Sequence, residues 1–427
     1  MTRVSTDQVV SGQIASGMID HTTWPDIAVA SGPPARAAIA RVLFTRAAAR
    51  LPLRVRFPDG RLLGAGSLDS PVMNLRRPEE FFRRLGAGGL VGFGEAYMAG
   101  DWDAADLTGL LTVFATRTAS LVPSWAQRLR RIAVRRQPAA DEQTLDGARQ
   151  NIHRHYDLSN DLFALFLDES MTYSSALFGV DAGGRPVASD DLLAQAQRRK
   201  IDRLLDRAGV RQGTRLLEIG TGWGELALRA AARGATVRTI TISSQQRDLA
   251  ARRISAAGLS GRVRAELRDY RDIDGEFDAI CSAEMIEAVG EKYWPDYFGA
   301  LSRVLAPGGR IGLQAITMDD DRMLATRHNY TWVHKYIFPG GLIPSVNAIE
   351  SGAEHAGLRI SGQENFGPHY EQTLRIWRER FTAHLGHVKG LGFDETFISM
   401  WTFYLCYAEA GFRAGYLDVC QFTLEGR

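Results

Sequence analysis

Between Glu218 and Gly224 the chain reads Glu-Ile-Gly-Thr-Gly-Trp-Gly, after the apolar pair Leu216-Leu217 and ahead of the helix-forming run Glu225–Ala232. Glycine accepts backbone conformations closed to other residues and carries no Cβ. Gly220, Gly222 and Gly224 therefore let the main chain turn sharply and lie close against a ligand. A strand before the turn and a helix after it put the turn at the carboxyl end of a strand, where a nucleotide-like ligand is expected. A pyrophosphate loop would space its glycines G-x-G-x-x-G with the phosphates on the helix N-terminus. Here the spacing is E-x-G-x-G-x-G, and the leading Glu218 is placed to accept hydrogen bonds. A glycine turn serving only close helix packing is the plainer alternative.

The surrounding pattern must position this turn. RLLEIG, TVRTITIS, FDAICSAE and GGRIGLQAIT are short, apolar and partly β-branched, as strands are, and ELALRAAARG and QQRDLAARRISAAG between them read as helices ending in glycine. Strands alternating with helices make βαβ units, so an α/β fold is expected, with a mostly parallel sheet and helices on both faces. In such a sheet the strand ends share one crevice. Thr241 and Gln246, after the second strand, and Asp269, Tyr270 and Arg271, before the fourth, are the candidate ribose and adenine contacts.

Upstream, a helix-like run from about residue 36 and the alternating LPLRVRFPDG with its Asp59-Gly60 turn predict a small α+β domain over residues 1–120, with residues 1 to about 35 as a loose arm. Residues 121–145 form a basic helix and linker. There Trp125, Leu129, Ile132 and Ala133 fall at helical spacing among Arg128, Arg130, Arg131, Arg135 and Arg136, a pattern that suits either an anionic bilayer or a neighbouring protein surface. The remaining domain spans 146–427.

Composition sets outer bounds. A hydrophobic share of 45% and a charged share of 23% exclude a disordered or collagen-like chain. The first 140 residues hold eighteen Arg, no Lys and eleven acidic residues, so this part is seven positive and the rest five negative. That asymmetry points to an anionic partner for the N-terminal part, a phospholipid surface or a nucleic acid. No nucleic-acid-binding module accompanies it, so no nucleic acid is expected. The start of the chain lacks the pattern of a secretory signal and no long apolar stretch follows, so a cytoplasmic protein, peripheral on the inner face of the membrane, is expected. Cys281, Cys406 and Cys420 form no CxxC pair, and no metal site is expected.

The E-x-G-x-G-x-G spacing resembles the class I S-adenosylmethionine methyltransferases, with their Rossmann-like fold, whose ligand has a charged amino-acid end and no phosphate. Three further segments, NIHRHYDLSNDLFALFLDESMTYSSALF, KYIFPGGLIPS and FGPHYEQTLRIW, together with GLVGFGEAYMAGDW near the N-terminus, are similar to the cyclopropane-fatty-acyl-phospholipid synthase family. The resemblance implies methyl transfer from S-adenosylmethionine to a cis alkene in a lipid chain. Tyr173, Ser174 and Ile242 join Glu218, Gly220, Gly222, Gly224 and the strand-end residues as implied cofactor contacts, and His155 and Tyr156 are implied to close over the methionine end.

The alkene is itself the nucleophile, so what remains to be supplied is alignment, exclusion of water and a base. The resemblance implies a bound bicarbonate as that base, held by positions that are Ser175, Glu287, Gln314, Ile316 (through its backbone) and Tyr370 here. Ser175 and Gln314 stand where the family has Cys and His. The segments EMIEAVG and QAITM resemble the branch of the family that makes 10-methylene acyl chains, precursors of 10-methyl, tuberculostearic-type lipids in actinobacteria; a cyclopropane synthase is the near alternative. Tyr173, Trp332, Tyr336, Phe338, Trp401 and Tyr404 are candidates to steady a cation through their ring faces, although such residues are more often core. The resemblance further implies a phospholipid membrane as partner, a homodimer, and a separate reductase for the methylene product. A non-catalytic cofactor-binding membrane protein and a small-molecule N- or O-methyltransferase are the competing readings.

Overall fold

The computed structural model describes residues 19–121 and 159–427. Beyond Leu121, the basic helix and linker expected at 121–145 lie outside the described residues, as do His155 and Tyr156. The chain divides into two compact units, residues 1–134 with 388–414, and residues 135–387 with 415–427. The units are thus interleaved along the chain, since 388–414 lie inside the segment 146–427 that the sequence suggested as one domain.

The larger unit is built on seven strands: β1 (Arg215–Ile219), β2 (Thr236–Thr241), β3 (Val263–Leu267), β4 (Phe277–Ala283), β5 (Leu305–Met318), β6 (Leu358–Asn365) and β7 (Leu417–Gly426). Their order across the sheet is β6-β7-β5-β4-β1-β2-β3. β1 to β5 run parallel, and β7 lies antiparallel between β5 and β6. Side chains alternate across each strand. Leu216, Val237, Ala279 and Cys281 accordingly pack beneath the helices Leu193–Arg207, Glu225–Ala232 and Ser244–Ala256. Leu217, Ile219, Ile280, Ile311 and Leu313 face the opposite way, onto Trp294–Val304 and Val346–His355. The doubly covered parallel sheet expected from the alternating pattern is present, with β3, β6 and β7 added to the strands named from sequence.

The smaller unit is α+β. Strands 62–63, 54–56, 72–75 and 102–103 form a sheet in that order, and the Asp59-Gly60 turn joins the first antiparallel pair. The helices Pro78–Gly88, Leu90–Met98 and Leu107–Leu121 belong to this unit, as does Glu395–Arg413. Phe403, from that last helix, packs on Phe93, Tyr97 and Trp102, and the Thr108 hydroxyl donates to Glu409 Oε2 at 3.2 Å. Within the segment expected to be a loose arm, residues 19–33 are instead docked. Ile27 is buried, and the Arg84 guanidinium donates to the carbonyls of Asp26 and Ile27 at 2.9 and 2.6 Å, satisfying groups that a free arm would leave to water. Trp401 and Tyr404 belong to this unit's aromatic core, where Trp401 stacks on Phe397.

Candidate active site

The glycine loop runs from the carboxyl end of β1 into the helix Glu225–Ala232, and the backbone N–H groups of Gly220 and Thr221 both donate to the Ile240 carbonyl on β2. Gly220 sits at φ +95°, and a Cβ there would lie 2.6 Å from the Met285 side chain; Gly224, at φ +92°, packs on Ala250. Gly222 differs from both. It is half-buried at φ +51°, and no atom lies within 4 Å of where its Cβ would be, so the left-handed turn of the backbone calls for glycine there and close packing does not. The reading of the loop as a device for helix packing alone therefore fails at Gly222. Glu218 is buried on β1, and its Oε2 has no hydrogen-bond partner. Burial pushes its carboxyl up to about 8, against the opposing pull of the Thr239 hydroxyl and the Lys200 ammonium. A buried acceptor without a donor beside a loop stripped of Cβ atoms fits a cofactor carrying an ammonium group. S-adenosylmethionine brings that group and supplies an electrophilic methyl on its sulfonium.

The other expected contacts gather at neighbouring strand ends. Thr241 closes β2, its hydroxyl donates to Gln246 Oε1 at 3.0 Å, and Ser243 caps the helix Ser244–Ala256 by accepting from Gln246 N–H. Half-exposed Ile242 lies between them. After β3, Asp269 caps a short turn and receives the Arg271 guanidinium at 2.8 Å, so its carboxylate is committed to Arg271. The Tyr270 ring meets Tyr297 edge-on at 5.5 Å. Tyr173 stacks on Trp377 at 5.3 Å, and Trp377 meets Tyr370 at 6.1 Å, making one aromatic wall. Trp332 is buried against Tyr336.

The five positions that the resemblance assigned to an anion do converge, but a residue absent from that set stands among them. Glu284 follows β4 directly and adopts φ +53°, a left-handed conformation costly for a residue with a Cβ. Its Oε1 accepts from the Ser175 N–H at 3.0 Å and from Gln314 Nε2 at 2.7 Å, and its Oε2 accepts from the Tyr370 hydroxyl at 2.7 Å. Glu287, one turn further on, accepts from the Ile316 N–H through Oε1, while its Oε2 is buried without a partner. The Glu287 carbonyl accepts from Leu342 N–H at 2.8 Å, tying the KYIFPGGLIPS segment to the site. A separate bicarbonate does not fit these donors, because three of them already hold the chain's own carboxylate.

The cluster is fastened from behind by the helix Leu193–Arg207. Gln197 Nε2 donates to the Ser174 carbonyl at 2.8 Å, and the buried Lys200 ammonium donates to the Ser174 hydroxyl. Burial pulls Lys200 down to about 8, and Glu284, Asp168 and Glu218 oppose that fall. From β7, Gln421 Nε2 donates to Gln314 Oε1 at 2.9 Å, which fixes the amide so that its nitrogen points at Glu284. Burial raises both carboxyls of the pair, Glu287 to about 8, with the neighbouring Glu284 adding to the rise. Lys200 and the three donors pull Glu284 back down. Glu284, Lys200, Gln197, Trp377 and Gln421 were not among the residues picked out from sequence. The usable signal was Gln197 and Lys200, polar residues at helical spacing from the buried Leu193.

Sheet order, carboxylate-led glycine loop and strand-end crevice are those of a class I S-adenosylmethionine-dependent methyltransferase. Residues 143–422 match the model of the mycolic acid cyclopropane synthetase family, and the chain belongs to that family. It is 53% identical to the tuberculostearic acid methyltransferase UfaA1 of Mycobacterium tuberculosis, over 97% of this chain and 98% of that one. It is 34% identical to the cyclopropane-fatty-acyl-phospholipid synthase of Escherichia coli, over 84% of this chain and 88% of the relative. The crystal structure of mycolic acid cyclopropane synthase CmaA1 complexed with SAH and CTAB superposes with a TM-score of 0.58 at 29% identity, covering 67% of this chain and 98% of that one. The protein is thus an S-adenosylmethionine-dependent methyltransferase of a fatty-acid-modifying family.

Proposed function

We propose that the protein methylates the cis double bond of an oleoyl-like acyl chain in a membrane phospholipid and releases a 10-methylene chain. The observation that carries this reading is 53% identity, along almost the whole of both chains, with a protein named for tuberculostearic acid, a 10-methyl acyl chain. Methyl addition to one alkene carbon leaves a cation on its neighbour. Hydride shift moves the cation to the methylated carbon, and loss of a methyl proton then gives a methylene (C=CH2) branch on the chain. Loss of that proton before the shift would close a cyclopropane ring instead. The aromatic wall of Tyr173, Trp377 and Tyr370 suits the passing cation, each ring face being worth roughly 0.5 to 2 kcal/mol. A methylene product calls for a separate reductase to reach the saturated 10-methyl chain.

Among the described residues no helix is long and apolar enough to cross a membrane. Peripheral attachment to an anionic inner leaflet suits the excess of Arg in the first 140 residues. It also suits the helix Pro34–Ala48, which exposes Ile39, Val42 and Leu43 along with Arg36 and Arg46. A homodimer is proposed with it.

The test is mass spectrometry and proton NMR of lipid recovered after incubation with S-adenosylmethionine and oleoyl phospholipid vesicles. Gain of one CH2 with vinylidene signals supports the reading, and high-field ring protons would make the protein a cyclopropane synthase. Failure to sediment with anionic vesicles at low salt would remove the membrane component.

A further inference from the structure

We propose that Glu284 is the base of this reaction, its side-chain carboxylate standing in the place where the family resemblance seats a bicarbonate ion, so that turnover needs no bicarbonate. The inference rests on the alkene-methylation reading above and names the group that takes the proton.

Three donors that would hold a free anion, the Ser175 N–H, the Gln314 amide and the Tyr370 hydroxyl, converge on the two oxygens of Glu284 at 2.7 to 3.0 Å. Their selection is not incidental to the fold. Gln314 is oriented by Gln421, and the Ser175 segment is held by Gln197 and Lys200. The residue bearing the carboxylate is kept in a left-handed conformation by the Glu284 N–H bond to the Gln314 carbonyl at 2.8 Å. Met285, the next residue, rests on Gly220, which puts the carboxylate one residue from the cofactor loop.

The two carboxylates divide the work. Glu287 accepts from the Ile316 N–H through one oxygen and buries the other without a partner, and burial pushes it up to about 8, so it is the member of the pair that keeps a proton near neutral pH. Glu284 accepts from three donors, the arrangement that suits an ionised carboxylate, and these donors with the nearby Lys200 charge oppose the rise that burial imposes on it. In the step itself a C–H bond of the transferred methyl breaks. Its electron pair forms the new C=C bond to the cationic carbon, and the proton passes to a Glu284 oxygen. Glu284 becomes a neutral carboxylic acid until water takes the proton after product leaves. No other reactant is consumed.

Turnover of oleoyl phospholipid vesicles is measured in carbonate-free buffer under argon, with and without added bicarbonate. The parent's rate is expected to be the same in both; a rate that rises about tenfold or more on addition would overturn the proposal. Glu284→Gly is expected to lose on the order of 10²–10⁴ in kcat, the usual worth of a positioned base, and to recover part of it when bicarbonate fills the vacated donors. Retained affinity for S-adenosylhomocysteine by calorimetry shows that the variant is folded, and parental turnover by it in carbonate-free buffer sinks the idea. A third arm needs no lipid: NMR of ¹³C-labelled bicarbonate with S-adenosylhomocysteine-loaded protein. Binding to Glu284→Gly but not to the parent supports the built-in carboxylate, and equal binding to both refutes it. That arm decides the matter even if neither protein methylates lipid, an outcome that would count against the alkene-methylation reading alone.

Discussion

Glu284 and Gln314 are joined twice: the Glu284 N–H donates to the Gln314 carbonyl at 2.8 Å, and the Gln314 side-chain amide donates back to Glu284 Oε1 at 2.7 Å. The first bond extends the pairing of β4 with β5 beyond the end of β4. The second aims a carboxylate using the same residue that anchors its backbone, so small shifts of β5 carry the whole unit with them.

Gln314→Leu keeps the backbone bond and deletes the other. A hydrogen bond to a charged group contributes about 1.5–3 kcal/mol, and 1.36 kcal/mol corresponds to about one pKa unit. Without the amide the Glu284 carboxyl rises further, so the acidic limb of the kcat/KM profile should move up by about one to two pH units. An unshifted profile would separate the amide from the ionisation that limits the rate.

Glu287→Gln should alter how stability depends on pH. The Glu287 carboxyl is raised in the fold, from the ordinary 4.5 to about 8, so across that interval the folded state holds a proton that the unfolded chain releases. Its contribution is therefore fully present below about 4.5 and is lost as pH rises through 8. The variant lacks this loss, and its stability relative to the parent should improve steadily from pH 5 to pH 8 in urea unfolding. A constant difference across that range contradicts the assignment.

Lys200→Met removes a buried ammonium and leaves Glu284 and Glu218 without the charge that opposes their desolvation. Breaking buried charge pairing on one side costs about 3–5 kcal/mol. The variant should melt well below the parent at pH 7 and recover part of the deficit on mild acidification, as the stranded Glu284 carboxylate takes up a proton. Thermal melts at pH 5 and pH 7 would show it; an equal deficit at both points instead to lost packing.

Gly220→Ala forces a Cβ onto Met285 in a backbone conformation that L residues avoid. Relief requires the loop to move, at a strain of about 1–3 kcal/mol. Affinity for S-adenosylhomocysteine by calorimetry should fall by roughly 5- to 150-fold on that energy, and unchanged binding would show that the close approach of the loop is not used by the cofactor.

The glycine loop and the strand-end residues were legible because their signals are local: Glu218, Gly220, Gly222 and Gly224 lie in one short window, and Thr241, Gln246 and Asp269 follow from where strands stop. Glu284 was not. Its meaning depends on donors 109, 30 and 86 residues away in sequence, which only the fold assembles. In the linear string SAEMIEAVG it is one of two carboxylates, and Glu287 was singled out alone. Lys200 was hidden differently, inside QRRK, where a charge run normally means a solvated helix face; Leu193, Ala196, Ile201 and Leu204 set a buried face that takes Lys200 with it. Residues 388–414 read as a continuation of their neighbours because nothing in composition marks the crossing to the other unit.

That crossing has a bearing on how the protein is made. The helix Glu395–Arg413 completes the smaller unit, and β7, which follows it, supplies the strand between β5 and β6 and the Gln421 amide. Units fold as they emerge during synthesis, yet here the N-terminal one must wait for residues made after nearly the entire catalytic sheet. Until then Phe93, Tyr97 and Trp102 lack Phe403, and β5 has a bare edge. The nascent chain therefore carries two unfinished cores at once, and they are sealed in quick succession by residues 388–427.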